Sequence, residues 1–168
     1  MKKIAIAGIL LVLALTVYGQ DTEPDPEIAK AKEETAVVYD LGRFFGYVHT
    51  MVSEDSSLSL KAEQLKIFRE IMETIKNTER IEPEWADETL EYLELDVLSV
   101  DQLMAVDKLA IEREESRETG TGESKGGGTG SGPILTYVSG GAFNPIIDES
   151  KSLGEGFVAL YEYVVSAN

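Results

Sequence analysis

Residues 60–103 read LKAEQLKIFREIMETIKNTERIEPEWADETLEYLELDVLSVDQL, and this stretch carries the clearest signal for the fold. Three short phrases in it resemble one another: residues 60–64 (LKAEQ), 81–85 (IEPEW) and 98–102 (LSVDQ). Each begins with an aliphatic residue, has an acid at its fourth position, and precedes an apolar run of helical period. The three phrases therefore predict three helix starts.

The third phrase shows the physical logic of such a start. If Ser99 is the N-cap, Gln102 is the third helical residue and can reach back to the amide of Ser99, which completes a capping box. Leu98 and Leu103 then stand where a hydrophobic staple forms. In the second phrase Pro83 takes the first helical position, where its missing N–H costs nothing.

The first phrase keeps Leu60 and Gln64, although Lys61 is a poor cap. Together the phrases predict helices over residues 62–77, 83–95 and 100–118. Because the connections between these helices are short, we expect antiparallel neighbours.

An earlier helix is predicted from about Pro26 to Val52, since apolar residues recur there at three- and four-residue spacing. Gly42 and Gly46 stand four residues apart on it, a spacing that lets a second helix approach closely. Glycine also weakens a helix, so the prediction allows a break near Gly46.

Residues 119–133 are rich in glycine and hold no large apolar residue, which predicts a flexible linker. Residues 134–168 follow as a docking segment and a C-terminal helix. Within them, residues 134–138 (ILTYV) are predicted as a short strand or an extended segment, and residues 152–165 as the helix. We expect that helix to pack back on the bundle; the alternative is docking on a partner or on a second copy in a homo-oligomer.

The N-terminus has the three-part layout of a secretory signal peptide. Lys2 and Lys3 precede an uncharged run, Ile4 to Val17, that is shorter than the roughly 20 residues needed to span a bilayer. Cleavage after Gly19 is expected, followed by a disordered mature N-terminus over residues 20–30. The chain has no cysteine, so neither a lipid-anchored N-terminus nor a disulfide is expected. The predicted localisation is periplasmic or secreted, with no stable membrane anchor.

The charge balance narrows the classes of partner. Fifteen Lys and Arg residues face 31 Asp and Glu residues, for a net charge of −16. A polyanion repels nucleic acid and anionic lipid, so neither is expected as a partner. A protein or peptide partner, particularly a basic one, and divalent cations remain electrostatically allowed.

The helix-start phrases resemble the LTxxQ motif of Spy/CpxP-like exported helical proteins. Leu98, Ser99 and Gln102 match that motif with Ser in place of Thr, whereas Leu60 and Gln64 match without the Thr. The resemblance covers about a third of the chain and implies an all-helical envelope protein, such as a chaperone or a stress adaptor. The departures are the strongly acidic charge and the lack of a His or Met cluster.

A search for catalytic, cofactor-binding and metal-ligating residues yields none. His49 is the single histidine, and no nucleophile motif accompanies any serine. The acids between Glu79 and Asp96 follow no calcium-loop pattern and are interpreted as a solvated face. A hydrolase that uses a carboxylate pair from this segment is kept as a third hypothesis.

The sequence therefore predicts an all-α protein: a small helical bundle over residues 31–118, and a disordered Gly-rich loop before a C-terminal helix. The leading functional hypothesis is an exported, non-enzymatic binding protein of the bacterial envelope, without a cofactor, whose partner lies in an apolar groove. The alternative is a periplasmic chaperone or envelope-stress adaptor of the Spy/CpxP type. Candidate groove residues are Phe44, Phe68, Trp85, Tyr92, Phe157 and Tyr161.

Overall fold

The computed structural model describes residues 25–118 and 131–167, and within these ranges the protein is an all-α bundle without β-strands, as predicted. The helices are α1 (Pro26–Glu34), α2 (Ala36–Glu54), α3 (Ala62–Lys76), α4 (Pro83–Tyr92), α5 (Val100–Glu118), α6 (Ser131–Val138) and α7 (Ser152–Ser166). Two 3-10 turns, Ser56–Leu58 and Pro145–Ile147, and a π-helical turn, Leu93–Val97, complete the described elements. The predicted signal peptide and most of the predicted glycine-rich linker lie outside the described residues.

Helix α2 forms the centre of the bundle and contacts α4, α5 and α7. Its Phe45 is fully buried and meets Phe157 of α7 edge to face, with ring centroids 5.5 Å apart. The same ring meets Phe68 of α3 at 6.4 Å, again edge to face. Because aromatic rings bury large apolar areas and favour this geometry, the three phenylalanines join α2, α3 and α7 in one core.

Glycines set the close crossing of α2 and α7. A Cβ atom placed on Gly156 of α7 would lie only 2.9 Å from the Cα atom of Gly46 on α2. One turn earlier, the side chain of Leu153 covers Gly42 and fills the space that a Cβ atom would need. The prediction that Gly42 and Gly46 admit a second helix is confirmed, as is the packing of the C-terminal helix on the bundle.

The first predicted helix is interrupted at Thr35 rather than near Gly46, where the prediction allowed a break. The Thr35 hydroxyl donates to the carbonyl of Ala31 at 2.7 Å, so this buried residue is satisfied where α1 ends and α2 begins. Gly46 remains helical because its missing side chain is needed for contact with α7, and that packing outweighs the low helix propensity of glycine.

Helix α1 begins at Pro26, where the predicted helix begins, so the expectation of disorder up to residue 30 is wrong for residues 26–30. Residues 20–24 lie outside the described residues. The Asp25 carboxylate accepts a hydrogen bond from the Glu27 amide at 3.0 Å, and Pro26 occupies the first helical position. This local start is stabilised by packing, since Ala31 is buried and α1 contacts α6.

Residues 134–138, predicted as a strand or an extended segment, are helical and belong to α6. This helix starts at Ser131, so the last residues of the predicted linker are also helical. Ile134 is fully buried and Tyr137 is half-buried, a three-residue spacing that places both on one helical face. Tertiary contact with α1 therefore overrides the strand preference of the β-branched residues.

Helix α4 ends at Tyr92 rather than at Leu95, where the sequence predicted its end. The chain continues in the π-helical turn, which closes with a 2.9 Å hydrogen bond from the Leu98 amide to the Leu93 carbonyl. Leu93 and Val97 are both buried, because residues four apart lie on the same face of a helical turn.

Arg80 attaches the C-terminal segment to the bundle. Its guanidinium donates to the carbonyls of Tyr137 and Gly141, at 3.2 and 3.0 Å, and stacks 4.3 Å from the centre of the Tyr137 ring. Beside it, the Ile81 amide donates to the carbonyl of Phe143 at 2.8 Å. Nothing in the sequence spacing pairs these distant segments.

Candidate interaction surface

The two phrases that keep a glutamine meet in space as a reciprocal pair. Each side-chain oxygen accepts from the amide at its own helix start: Gln64 from Lys61 at 2.8 Å, and Gln102 from Ser99 at 2.9 Å. The Gln64 side-chain amide also donates to the Gln102 side-chain oxygen at 2.7 Å. The predicted capping function of Gln102 is confirmed, and the pairing of the two phrases is new.

Each glutamine also binds the chain just before the other phrase. Gln64 donates to the carbonyl of Val97 at 2.8 Å, while Gln102 donates to the carbonyls of Leu58 and Ser59 at 3.0 and 3.3 Å. Both side chains are buried, as are Leu60 and Leu98 at the heads of the phrases. Since buried polar groups are costly unless paired, this arrangement fixes the start of α3 against the start of α5 and is structural.

The six candidate groove residues do not form one groove. Phe44, Phe68 and Phe157 are buried in the core, and of these three Phe44 also lines a cleft between α2, α4 and α5. Their rings contact Phe45 in the core, where each aromatic side chain buries a large apolar area. Tyr161 lies on α7, where the ammonium of Lys76 stands 3.9 Å from its ring centre.

Trp85 and Tyr92 do lie together, in a surface groove of about 420 Å³ between α3 and α4. We call this the Trp85 groove. Trp85 and Tyr92 line it from α4, and half-buried Ile67 and Ile71 line it from α3. The remaining lining residues are polar: Glu70, Thr74, Glu88 and Thr89. An apolar strip with aromatic side chains and acids beside it is a surface suited to binding a peptide or a helix.

A second apolar feature lies on α5. Val100, Met104 and Ile111 are 74%, 64% and 59% exposed, and we call them the Met104 row. Their spacing of four and seven residues places them on one side of the helix, away from buried Gln102 and Val106. The sequence contains this spacing, but the core-facing residues of the same helix obscured it.

A cleft of about 450 Å³ separates α5 from α2 and α4, and we call it the Glu94 cleft. Partial burial raises the pKa of the Glu94 carboxyl, and the negative charges of Asp107 and Asp40 raise it further. Arg43 forms an ion pair with Asp40 at the same cleft, and Arg113 is among the other lining residues. Glu94 is thus an ionisable group whose charged form is disfavoured by its surroundings.

His49 lies half-buried on α2, in a smaller cleft of about 330 Å³ between α2 and α7. Its Nε2 atom is 3.4 Å from the hydroxyl of Ser53, one turn away on the same exposed helix face. Within residues 25–118 and 131–167, no group of three or more His, Asp or Glu side chains is arranged to hold a metal ion.

The acids between Glu79 and Asp96 are exposed apart from half-buried Glu94, so the interpretation as a solvated acidic face holds for this segment. Among the helices of the described ranges, none combines the length and apolar character needed to cross a bilayer.

Comparison with known proteins identified no matching family model, curated protein or solved structure. The protein is therefore classed by its fold, an all-α helical bundle, whose described surface carries the Trp85 groove and the Met104 row.

Proposed function

We propose that this chain is an exported, non-enzymatic interaction protein of the bacterial envelope that binds a protein or peptide partner in the Trp85 groove. The observation that carries the proposal is the groove itself, because it brings exposed Tyr92 together with half-buried Trp85 and two half-buried isoleucines on one surface. Tryptophan and tyrosine are the side chains that most often dominate binding energy at protein interfaces.

The exported location rests on the N-terminal sequence. A secretory signal peptide is the interpretation of Lys2 and Lys3, the uncharged run after them and Gly19. Expression of the full chain in a bacterial host tests this directly: intact mass of the periplasmic or secreted product should correspond to a chain that begins at Gln20. A product that stays in the cytoplasm with residues 1–19 attached contradicts export.

The groove offers its own reporter, because Trp85 is the single tryptophan of the chain. Affinity capture from the envelope fraction should recover a partner with the wild-type protein and lose it with Tyr92→Ser. The purified partner should then shift the fluorescence emission of Trp85. Val165→Ser, an exposed apolar residue on α7, is the matched control and should capture as the wild type does. Equal capture by Tyr92→Ser, or an unchanged Trp85 emission, contradicts a partner in this groove.

The second candidate function is a chaperone or stress adaptor of the Spy/CpxP type. It is favoured by the paired glutamine phrases, which resemble the LTxxQ motif, and by the exposed Met104 row, which offers apolar surface to unfolded chains. A chaperone should suppress the aggregation of several unrelated unfolded clients at near-stoichiometric ratios. Capture of one discrete folded partner, with no effect on such clients, would instead support the interaction protein.

A further inference from the structure

We propose that the Met104 row docks a basic amphipathic helix of another protein, at a surface separate from the Trp85 groove. The row has the dimensions of a helix-binding stripe, because residues 100 to 111 of an α-helix span about 16 Å, or three turns. A partner helix with apolar residues at positions i, i+4 and i+11, or i, i+7 and i+11 if it runs antiparallel, would match this spacing and place one anchor on each row residue.

The row is held outward by the packing of the rest of α5. Gln102 is fixed in the glutamine pair, Val106 is buried, and Leu103 and Leu109 are half-buried against the core. Rotation of α5 to hide the row would expose these residues and break the buried hydrogen bonds of Gln102. The apolar row is therefore a constant feature of the folded chain.

Charge identifies the occupant. Asp107 and Glu114 stand on the side of the row that faces the Glu94 cleft, and helical geometry places Asp101 and Glu112 on the other side. Lys108 is 3.6 Å from Glu112 and offsets part of that charge. Acids thus flank the apolar row on both sides, and a helix with Lys or Arg beside its apolar stripe is electrostatically complementary to it.

The Glu94 cleft strengthens this complementarity. The cleft beside α5 is lined by four acids, Asp40, Glu94, Asp107 and Glu114, against two arginines, Arg43 and Arg113, so its lining is acidic in balance. Burial and the charges of Asp107 and Asp40 raise the pKa of Glu94. A second copy of this chain is the poorer occupant. It carries the same net charge of −16, so its acids would face the acids beside the row.

The test uses the full protein and two synthetic 18-residue helical peptides, one built from Leu and Lys and one with Glu in place of every Lys. Fluorescence anisotropy of labelled peptide at 0.15 M salt should show binding of the Lys peptide only. Met104→Ser/Ile111→Ser should weaken binding at least tenfold, whereas Leu135→Ser on α6, a residue 50% exposed, should leave it within twofold. Val100→Ser alone provides a second, smaller change if the double variant folds poorly by circular dichroism.

The charge argument has its own variant. Asp107→Asn/Glu114→Gln should weaken Lys-peptide binding severalfold and flatten its salt dependence, because fewer charge contacts remain to be screened. Three results would overturn the proposal: equal binding by the Met104→Ser/Ile111→Ser variant, equal binding of the Glu peptide, or a dimer of the protein alone that this variant abolishes. Since Tyr92→Ser probes the Trp85 groove and the row variants probe α5, failure of one proposal leaves the other standing.

Discussion

Replacement of Gln102 by methionine tests the glutamine pair most directly, because methionine keeps the volume and removes the polar atoms. The Gln102 side chain accepts from the Ser99 amide and the Gln64 side chain, and it donates to the carbonyls of Leu58 and Ser59. The variant loses these four hydrogen bonds, each of which contributes about 0.5–1.5 kcal/mol, and leaves the carbonyls of Leu58 and Ser59 without the donor they have in the wild type. We therefore expect the free energy of unfolding to fall by about 3 kcal/mol.

Urea denaturation followed by circular dichroism and by Trp85 emission measures this loss, which corresponds to a fall of about 10 °C in melting temperature. Gln64→Met should cost a similar amount. The double variant should lose about 1 kcal/mol less than the sum of the two single losses, because no glutamine remains buried without its partner. Lys66→Met, an exposed site on α3, is the control and should change stability by less than about 0.5 kcal/mol. Single variants as stable as the control, or a strictly additive double variant, would refute the reciprocal pair.

Three further predictions address the core, the helix crossing and a carboxyl group. Phe45→Ala should cost about 3–5 kcal/mol in urea denaturation because it opens a cavity between three helices, and a cost no larger than that of the exposed control Val165→Ala would contradict this. Gly156→Val should lower the free energy of unfolding by more than about 1 kcal/mol, because the added side chain forces α7 away from α2. Gly132→Val, whose side chain meets open space, should not lower it. Equal effects of the two variants would disprove the close crossing. The raised pKa of the Glu94 carboxyl means that the folded state binds its proton more tightly than the unfolded chain does. Glu94→Gln should therefore increase the free energy of unfolding at pH 7 and bring no gain below the ordinary pKa of Glu. A gain that stays constant from pH 7 to pH 3 would contradict the shift.

Local signals in the sequence located the helix starts well. Helices α3, α4 and α5 begin at Ala62, Pro83 and Val100, as the phrases predict. These starts are predictable because capping and first-turn contacts join residues only a few positions apart. The sequence also indicated the close approach at Gly42 and Gly46, since a missing side chain is visible without any knowledge of the neighbour.

Errors arose wherever a distant segment decided the outcome. Ile134 and its neighbours favour a strand by composition, yet contact with α1 makes them helical. Phe68 and Phe157 are candidates for the apolar groove by sequence, yet both are buried in the core, because periodicity identifies an apolar face but not what covers it. The Trp85 groove was half predicted: Trp85 and Tyr92 were chosen, but Ile67 and Ile71 come from a different helix.

The class of fold, the starts of α3, α4 and α5, and the strong negative charge follow from the amino-acid sequence alone, because they depend on composition and on contacts between near neighbours. The tertiary structure decided how the two glutamine phrases pair, where α7 crosses α2, and which apolar residues stay exposed. These features join residues tens of positions apart, such as Gln64 and Gln102, and their energies exist only when the chain has brought both partners together.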